Sequence, residues 1–381
     1  MNLKLIRLFA PAVCALPGLC SCNGSAEHGS YSDFETADTL THHARYLTIA
    51  DCGSGVTRVD IADPTAEGKW LGRYAFVHRD SAVPDDLDRN IAVVRVPVNR
   101  AAVFSSVYTD ALRDLDAISS VVAVADASYF GPTDTITSML TAGTVADLGS
   151  SQAPSTEKLA ASQAEVVLRS PMQGVATATL PLGVTAIECA DYLENSPIGR
   201  AEWILLLGEL AGCREQATKI FTEVIDNYSD LCFKASGATS PRPKVLVESE
   251  YSGVWYVPAG GSYMARMLAD AGGVYPWADT EGTGSLALGL ENVAEKAIDA
   301  DVWLMRQFGY TPDAASLIAQ NKRYASFKPV KTGEVYGCDS AEKPIFNDTA
   351  FHPDRVLAEY VAIFHPDVMP GYKLRYFVKS K

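Results

Sequence analysis

One long helical pattern near the middle of the chain constrains the fold more than any other feature of the sequence. From Arg214 to Phe233 the apolar residues recur at spacings of three, one and three, which predicts a two-sided helix about 30 Å long. On either side of this helix, short apolar runs alternate with helical stretches, a rhythm typical of mainly parallel strands covered by helices. The sequence therefore predicts an α/β protein with two lobes joined by a single long helix.

Breaks in the pattern give the boundaries of these parts. Strand-like runs at 46–78, separated by glycine- and proline-containing turns, predict a β meander that precedes the first lobe. The α/β rhythm begins with the apolar strand Ile91–Val96 and restarts after the linker-like segment Lys234–Lys244. The expected parts are a first lobe with its meander at 45–212, a linking helix at 213–236 and a second lobe at 237–381.

The first 21 residues have the pattern of a secretory signal peptide. Lys4 and Arg7 form a basic start, and the apolar run Leu8–Leu19 is too short to span a bilayer. Leu19 lies three residues before Cys22 and Ser21 directly precedes it, a spacing that resembles the bacterial lipobox. We therefore expect lipidation at Cys22 and a membrane-anchored tether at 22–44. The alternative is an ordinary signal peptide with incidental cysteines.

Composition and charge exclude several classes of protein. With 48% hydrophobic and 20% charged residues among 381, the chain can build real cores and is not a disordered protein. Its net charge of -14 argues against a nucleic-acid partner, which requires a basic face. Eight cysteines are too few for a disulfide scaffold. No disulfide can be assigned among the five that remain after Cys22, namely Cys52, Cys189, Cys213, Cys232 and Cys338.

The sequence lacks the short motifs that most often mark an enzyme. It contains no GxSxG elbow, no GxxxxGK[ST] phosphate loop, no HExxH and no GxGxxG after a strand. Of its six histidines, His28, His42 and His43 fall in the tether, where adjacent histidines are more typical of solvated side chains than of metal ligands. We therefore expect neither enzyme activity nor a resident metal or cofactor. A hydrolase that uses carboxylates of a cleft is the alternative.

An aromatic and glycine-rich segment, Tyr251–Tyr263, is the main candidate for a ligand site. It follows a predicted strand and precedes a predicted helix, which places it where open α/β sheets bind ligands. The alternative is a core-forming loop whose aromatic rings pack inward. For Arg306, which follows a second-lobe strand, the alternatives are contact with an anionic ligand and a surface salt bridge. The ligand-binding candidates are Ser106, Tyr108, Tyr129, Trp255, Tyr256, Ser262, Tyr263 and Arg306.

Four segments resemble the substrate-binding lipoproteins of ABC importers for ferric siderophores, haem and vitamin B12, in forms closest to those of Bacteroides-type bacteria. These segments are Asn99–Ser106, Glu194–Ile204, Gly253–Ala265 and Glu281–Leu286. The resemblance covers most of residues 90–370 and implies the class III periplasmic binding fold, with two Rossmann-like lobes bridged by one helix. It implies capture of a ferric-siderophore-type iron complex between the lobes, with cobalamin or haem as the alternative ligand. It also implies that a monomer delivers this ligand to an ABC permease and its ATPase.

The same resemblance implies one exposed docking glutamate on each lobe, which meets arginines of the permease. Ser155–Leu159 resembles the first-lobe segment and identifies Glu157, and Gly289–Val293 resembles the second-lobe segment and identifies Glu291. Both glutamates also begin predicted helices, where the helix dipole favours a carboxylate. The protein is therefore expected on the periplasmic side of the cell envelope, held to a membrane by its lipid.

Overall fold

The computed structural model describes residues 37–85, 87–171 and 180–380. It confirms the α/β fold, with parallel sheets in two lobes, a long helix between them and an N-terminal meander. The predicted signal peptide, Cys22 and most of the predicted tether lie outside the described residues. Within the described ranges, no helix combines the length and the apolar character needed to cross a membrane.

The described chain begins with a five-stranded sheet whose strands follow one another in chain order. Its strands are β1 Asp38–Thr39, β2 Leu47–Asp51, β3 Val56–Ala62, β4 Trp70–His78 and β5 Ala92–Val96. The first four pair antiparallel, and β5 pairs parallel with β4. The sequence predicted β5 as the opening strand of the first lobe. It joins the meander sheet instead, where residues 92–96 pair in register with residues 74–78 of β4.

The first lobe contains a parallel sheet with the order β10-β9-β6-β7-β8. Its strands are β6 Ala101–Val103, β7 Val121–Val124, β8 Ala146–Asp147, β9 Val166–Arg169 and β10 Thr185–Glu188. The helices packed with them are α1 Ser106–Asp114, α2 Thr135–Thr141 and α3 Thr156–Ala161. Because the strands are parallel, their carboxyl ends and the loops that follow share one edge of the sheet.

Three helices follow the first-lobe sheet along the chain, namely α4 Pro197–Ala201, α5 Ile204–Ala211 and α6 Arg214–Ser236, and α6 is the long helix between the lobes. Ser196 caps α4, since its side-chain oxygen accepts a hydrogen bond from the backbone N–H of Gly199 at 2.9 Å. Gly212 ends α5 in the left-handed conformation, with φ of 71°. Along α6, Phe221 packs in the first-lobe core and Tyr228 packs in the second-lobe core. The long helix is therefore part of both cores.

The second lobe has a mixed four-stranded sheet, in the order β11-β15-β16-β17, and a three-stranded antiparallel sheet, in the order β12-β13-β14. Its strands are β11 Val245–Val247, β12 Glu250–Tyr251, β13 Val254–Pro258, β14 Ser285–Leu288, β15 Val302–Gln307, β16 Val335–Asp339 and β17 Val378–Lys379. Its helices are α7 Tyr263–Asp270, α8 Leu290–Ala297, α9 Ala314–Gln320, α10 Lys328–Thr332, α11 Ile345–Phe351 and α12 Pro353–Phe364.

The aromatic segment Tyr251–Tyr263 is a strand and a helix cap, not the open loop that its glycines suggested. Its middle forms β13, which pairs with both β12 and β14. Strand side chains alternate between faces, so Trp255 points into the core with 0% exposure while Tyr256 points outward. For Trp255 the inward-packing alternative is therefore correct.

The end of the predicted tether is bound to the connecting helices. The backbone N–H groups of residues 42–46 donate hydrogen bonds to two carboxylates that are fully buried. Glu202 accepts from residues 42, 43 and 44 at 2.6 to 2.8 Å, and Glu194 accepts from residues 45 and 46 at 2.9 to 3.0 Å. A Cβ atom on Gly199 would lie 2.7 Å from the carbonyl oxygen of His43, so this close approach requires glycine. This segment therefore belongs to the folded body.

Candidate functional site

A cavity of about 410 Å³ opens between the two lobes, at the carboxyl ends of their strands. The first lobe contributes the α1 side chains of Ser106 and Asp110, together with the turn around Tyr129 that follows β7. The second lobe contributes residues 340–344, which follow β16, and Asn347 on α11. Loops at the carboxyl edge of a parallel sheet are the usual place for ligand binding in open α/β folds. The position of this cavity makes it the candidate binding cleft.

Hydrogen bonds already join the lobes along one side of this cleft. The hydroxyl of Ser106 donates to Oδ1 of Asn347 at 3.3 Å, and the amide nitrogen of Asn347 donates to Asp110. Further along the seam, Nε2 of His352 lies 2.7 Å from a carboxylate oxygen of Asp114. Burial raises the pKa of Asp110, although the hydrogen bond from Asn347 opposes this shift. Asn347, which no sequence pattern had indicated, thus forms hydrogen bonds with two residues of α1 in the first lobe.

Two aromatic rings from opposite lobes meet across the cleft. Tyr129, a predicted site residue, contacts Phe308 edge-to-face, with ring centroids 5.5 Å apart and an interplanar angle of 78°. Both rings remain at least half exposed. The sequence-based candidates did not include Phe308, although it directly follows β15, a strand-end position comparable to that of Tyr129 in the turn after β7.

Arg306 lies near the end of β15 and makes a largely buried salt bridge, whereas the sequence had offered a surface salt bridge or contact with an anionic ligand. Its Nε donates to Oε1 of Glu248 at 2.9 Å, and its guanidinium carbon lies 4.7 Å from the ring centroid of Phe346. Burial alone would lower the pKa of Arg306, but the carboxylate of Glu248 raises it above its usual range. The guanidinium is therefore a permanent positive charge behind the Phe346 ring, and only 12% of the Arg306 side chain is exposed.

Three of the predicted ligand-binding side chains are buried inside the lobes. The hydroxyl of Tyr108 donates to Asp191 at 2.9 Å, inside the first-lobe core. Trp255 stacks with Trp303 in the second-lobe core, with centroids 5.5 Å apart. The buried Ser262 caps α7, and its hydroxyl accepts from the N–H of Ala265 at 3.1 Å. None of these three side chains lines the cavity, and their polar atoms are hydrogen-bonded within the protein.

Tyr256 and Tyr263 have more accessible positions. Tyr256 lies on the outward face of β13 and is about half exposed. Tyr263 begins α7, and the guanidinium of Arg200 on α4 lies 4.7 Å from its ring centroid. Arg200 is buried and pairs with Asp191 at 3.0 Å, so the position of its charge on Tyr263 is set from the first lobe. Tyr263 therefore lies at the interface between the lobes, in contact with Arg200, and Tyr256 lies on the exposed face of the three-stranded sheet.

Charged groups of both signs surround the cavity. They are Asp110, Arg113, Asp114, Asp134, Glu342, Lys343, Asp348, Arg355 and Arg375. Arg355 pairs with Asp348 at 2.8 Å and Arg375 lies 3.5 Å from the same carboxylate group.

Across the described residues, no group of three or more His, Cys, Asp or Glu side chains is arranged to hold a metal ion. The five cysteines in this part of the chain are free thiols.

The two predicted docking glutamates are exposed residues in the first turns of helices. Glu157 lies in α3, next to its Ser155 cap. Glu291 lies in α8, where a carboxylate oxygen is 2.7 Å from Nη1 of Arg323. The hydrogen bond from Arg323 lowers the pKa of Glu291, so this carboxylate is ionised at neutral pH. Both side chains are accessible to a partner.

Comparisons with known proteins agree with this architecture. The family described as "Periplasmic binding protein" matches residues 102–342. A lipoprotein of Methanocaldococcus jannaschii is 30% identical over 322 residues, which cover 81% of this chain and 76% of that protein.

Two solved structures share the fold at low sequence identity. A periplasmic heme binding protein from Pseudomonas aeruginosa has a TM-score of 0.58 and 16% identity, over 74% of this chain and 98% of that one. Helicobacter pylori CeuE with Ni(II) bound has a TM-score of 0.58 and 12% identity, over 74% and 88% of the two chains. The match of 102–342, the identity to the archaeal lipoprotein and the two-lobed fold with its interlobe cleft together show that this chain belongs to the periplasmic binding protein family.

Proposed function

We propose that this chain is the substrate-binding component of an ABC importer, and that it captures a ferric-siderophore-type iron complex between its lobes. The observation that carries this proposal is the cleft, which both lobes line with hydrogen-bonding groups and where Tyr129 of the first lobe contacts Phe308 of the second. The neighbouring structures named for heme and Ni(II) support a ligand that contains a metal. We propose that the protein binds and releases this ligand without covalent chemistry.

Three of the side chains that we propose to contact the ligand line the cavity, and the others are aromatic residues outside this lining that are at least partly exposed. Ser106 and Asn347 offer hydrogen bonds to the polar edge of a chelate, and aromatic rings offer stacking surfaces. Arg306 contributes positive charge from behind Phe346 rather than by direct contact. The proposed contact residues are Ser106, Tyr129, Tyr256, Tyr263, Phe308, Phe346 and Asn347.

Titration of the full chain in detergent tests this function directly. We expect saturable one-to-one binding of a ferric siderophore by isothermal titration calorimetry, with a dissociation constant on the order of 1 μM or below. The iron-free siderophore is the matched control and should bind more weakly. Haem and cyanocobalamin are titrated in parallel, because they are the alternative ligands for this fold. If none of these compounds binds, the proposed function is wrong.

We further propose that Glu157 and Glu291 dock on the permease and that the lipid on Cys22 holds the protein to the membrane. The lipid is tested by mass spectrometry of the N-terminal peptide, and an unmodified Cys22 would contradict the anchor. The docking proposal is supported by the accessibility of one first-turn carboxylate on each lobe.

Charge reversal at both docking positions is expected to lower uptake at least about tenfold, because loss of one partner of an interfacial charge pair costs about 2–5 kcal/mol. The double variant Glu157→Lys, Glu291→Lys should still bind ligand in solution with unchanged affinity. The matched control reverses two exposed glutamates elsewhere on the chain, Glu67 and Glu295, the second of which shares α8 with Glu291. Equal uptake by the two double variants in whole cells would contradict the docking assignment.

A further inference from the structure

The meander sheet has one face that is only partly covered. Strand side chains alternate between faces, and one face of this sheet packs on the first-lobe core. On the opposite face, Val56 and Ala75 are buried in a small cluster with Ile91, which directly precedes β5. The rest of that face is open to solvent, where Thr48 is exposed and Trp70 is about half exposed. This sheet therefore presents a surface that is separate from the interlobe cleft.

Two arginines and a tryptophan occupy the open part, which we call the arginine face and define by Arg58, Asp60, Trp70 and Arg73. Asp60 is 1% exposed, and its carboxylate accepts from the guanidinium of Arg58 and, at 3.2 Å, from Nε of Arg73. The two arginine side chains remain 22% and 28% exposed. Because two guanidinium groups share one buried carboxylate, the charge that this face presents to solvent is positive.

Trp70 is the exposed tryptophan of this chain. The other four tryptophans are 0 to 3% exposed, and they are Trp203, Trp255, Trp277 and Trp303. The guanidinium carbon of Arg73 lies 5.6 Å from the centroid of the Trp70 ring. Tryptophan rings are enriched at the boundary between an apolar phase and water, and guanidinium groups bind phosphate oxygens. The pair of Trp70 and Arg73 therefore fits a surface that is apolar inside and anionic outside.

The arginine face lies close to the point where the described chain begins. Thr39 of β1 pairs with Ala50, and Ala50 pairs with Arg58, so β1 is two strands, or about 10 Å, from this face. Residues 23–36 separate the described chain from Cys22, the proposed site of the lipid, and a chain of this length spans at most about 50 Å. A lipid on Cys22 therefore keeps the arginine face within reach of the membrane surface.

Tethering makes a weak surface interaction effective, because the second contact of a linked pair forms at a high local concentration. Anionic headgroups attract each nearby lysine or arginine, and they repel a chain whose net charge is -14. A locally positive face is then the one that turns toward the membrane. Lys69, an exposed residue directly before Trp70, adds to this charge, whereas Asp63 and Glu67 in the same turn oppose it. The attraction is thus confined to one small face of the sheet.

We infer that the arginine face is a docking surface for anionic phospholipid headgroups, on which the anchored protein rests at the membrane. This inference goes beyond the proposed ligand capture and rests on the lipid anchor proposed for Cys22. Arg58 and Arg73 contact lipid phosphates, and the ring of Trp70 lies at the level of the headgroups. Asp60 is a positioning residue, because its buried carboxylate holds both guanidinium groups on the same side of the sheet.

Trp70 can report its own contact with lipid, because the other tryptophans are buried. The full lipidated chain is reconstituted into vesicles of phosphatidylcholine, or of phosphatidylcholine and phosphatidylglycerol in equal parts. Both contain the same share of phosphatidylcholine that is brominated near the headgroup end of its acyl chains, and bromine quenches tryptophan by contact. The Trp70 signal is the difference between the native chain and Trp70→Phe. We expect its quenching to be at least about threefold greater in the anionic vesicles, and to be lost at about 1 M salt, where the Debye length is about 3 Å.

Charge variants test whether electrostatic attraction causes this contact. Lys69→Glu reverses an exposed charge without changing the pairs with Asp60, and it should lower the ratio of docked to undocked protein about tenfold. Lys322→Glu is the matched control, since Lys322 is an exposed lysine of the second lobe, and it should leave the quenching unchanged. Arg73→Gln removes one of the two guanidinium groups and should act at least as strongly as Lys69→Glu. If thermal unfolding shows that Arg73→Gln does not fold, Lys69→Glu decides the question alone.

Flotation of the vesicles on a density gradient separates this inference from the anchor. If the chain floats with both kinds of vesicle but Trp70 is quenched equally in both, or in neither, the docking surface is overturned and the anchor stands. Equal quenching of Lys69→Glu and Lys322→Glu would also overturn it. Flotation with anionic vesicles alone, with quenching of Trp70, would support the docking surface and contradict the anchor, and flotation with neither would contradict both. The ligand titrations need no vesicles, so the capture of an iron complex is tested separately.

Discussion

Trp255→Ala is expected to lower the free energy of unfolding by about 3–5 kcal/mol, the usual cost of truncating a buried tryptophan. Trp255 has no exposed surface and lies in a group of four aromatic rings with Trp303, Tyr324 and Phe327. Its indole N–H also donates to the carbonyl oxygen of Val247 at 3.0 Å. Alanine would leave a large cavity between the second-lobe sheets and helices and would leave that carbonyl without its hydrogen bond.

The neighbouring residue provides a matched control for this prediction. Tyr256→Ala removes a comparable ring from the opposite face of the same strand, where the side chain is about half exposed. Its cost should be about 1 kcal/mol or less, as for most surface substitutions. Guanidinium denaturation followed by far-ultraviolet circular dichroism measures both values. Equal losses for the two variants would contradict the assignment of Trp255 to the core.

Glu202→Gln is expected to lower the free energy of unfolding by about 2–3 kcal/mol, because it removes the negative charge and one acceptor oxygen of a fully buried carboxylate. Oε1 of Glu202 accepts from the N–H of residue 42, and Oε2 accepts from residues 43 and 44. Glutamine has one oxygen, so its NH2 group would face a backbone N–H that has lost its acceptor. The remaining bonds would also lose the strength that the negative charge provides.

Hydrogen exchange locates this effect on the chain. In Glu202→Gln the amides of residues 42–44 should exchange faster, whereas those of residues 45 and 46, which are bonded to Glu194, should change less. Glu215→Gln is the control, since Glu215 is an exposed residue at the start of α6. Unchanged protection of residues 42–44, together with unchanged stability, would show that Glu202 does not hold this segment.

Much of the architecture follows from local patterns that need no knowledge of the rest of the chain. The apolar spacing of α6 and the Ser-Pro start of α4 are local patterns, and the structure has helices at both places. The alternation of strands and helices indicates parallel sheets, and parallel sheets place their loops at one edge. The edge of the sheets at which the cleft opens could therefore be predicted, and two of the predicted candidates, Ser106 and Tyr129, line the cavity there.

Side-chain direction was less predictable where two patterns overlapped. The glycines around Tyr251–Tyr263 indicated a loop, but the central residues form a strand in which Trp255 and Tyr256 point to opposite faces. Burial on one face of a strand depends on what packs there. Trp303, Tyr324 and Phe327 supply that packing from segments 48 to 72 residues further along the chain. No local pattern specifies those partners.

By itself, the sequence determined the fold class, the long helix between two lobes and the edge of each sheet where ligands bind, because these depend on local periodicity. Only the tertiary structure decided which side chains meet. The carboxylate of Glu202 binds residues 42–44, which lie 158 to 160 residues earlier and which composition had indicated to be a flexible tether. Across the lobe boundary, the ring of Tyr129 contacts the ring of Phe308, and Ser106 donates a hydrogen bond to Asn347. These contacts depend on the relative placement of whole lobes, which results from the packing of both hydrophobic cores on one helix.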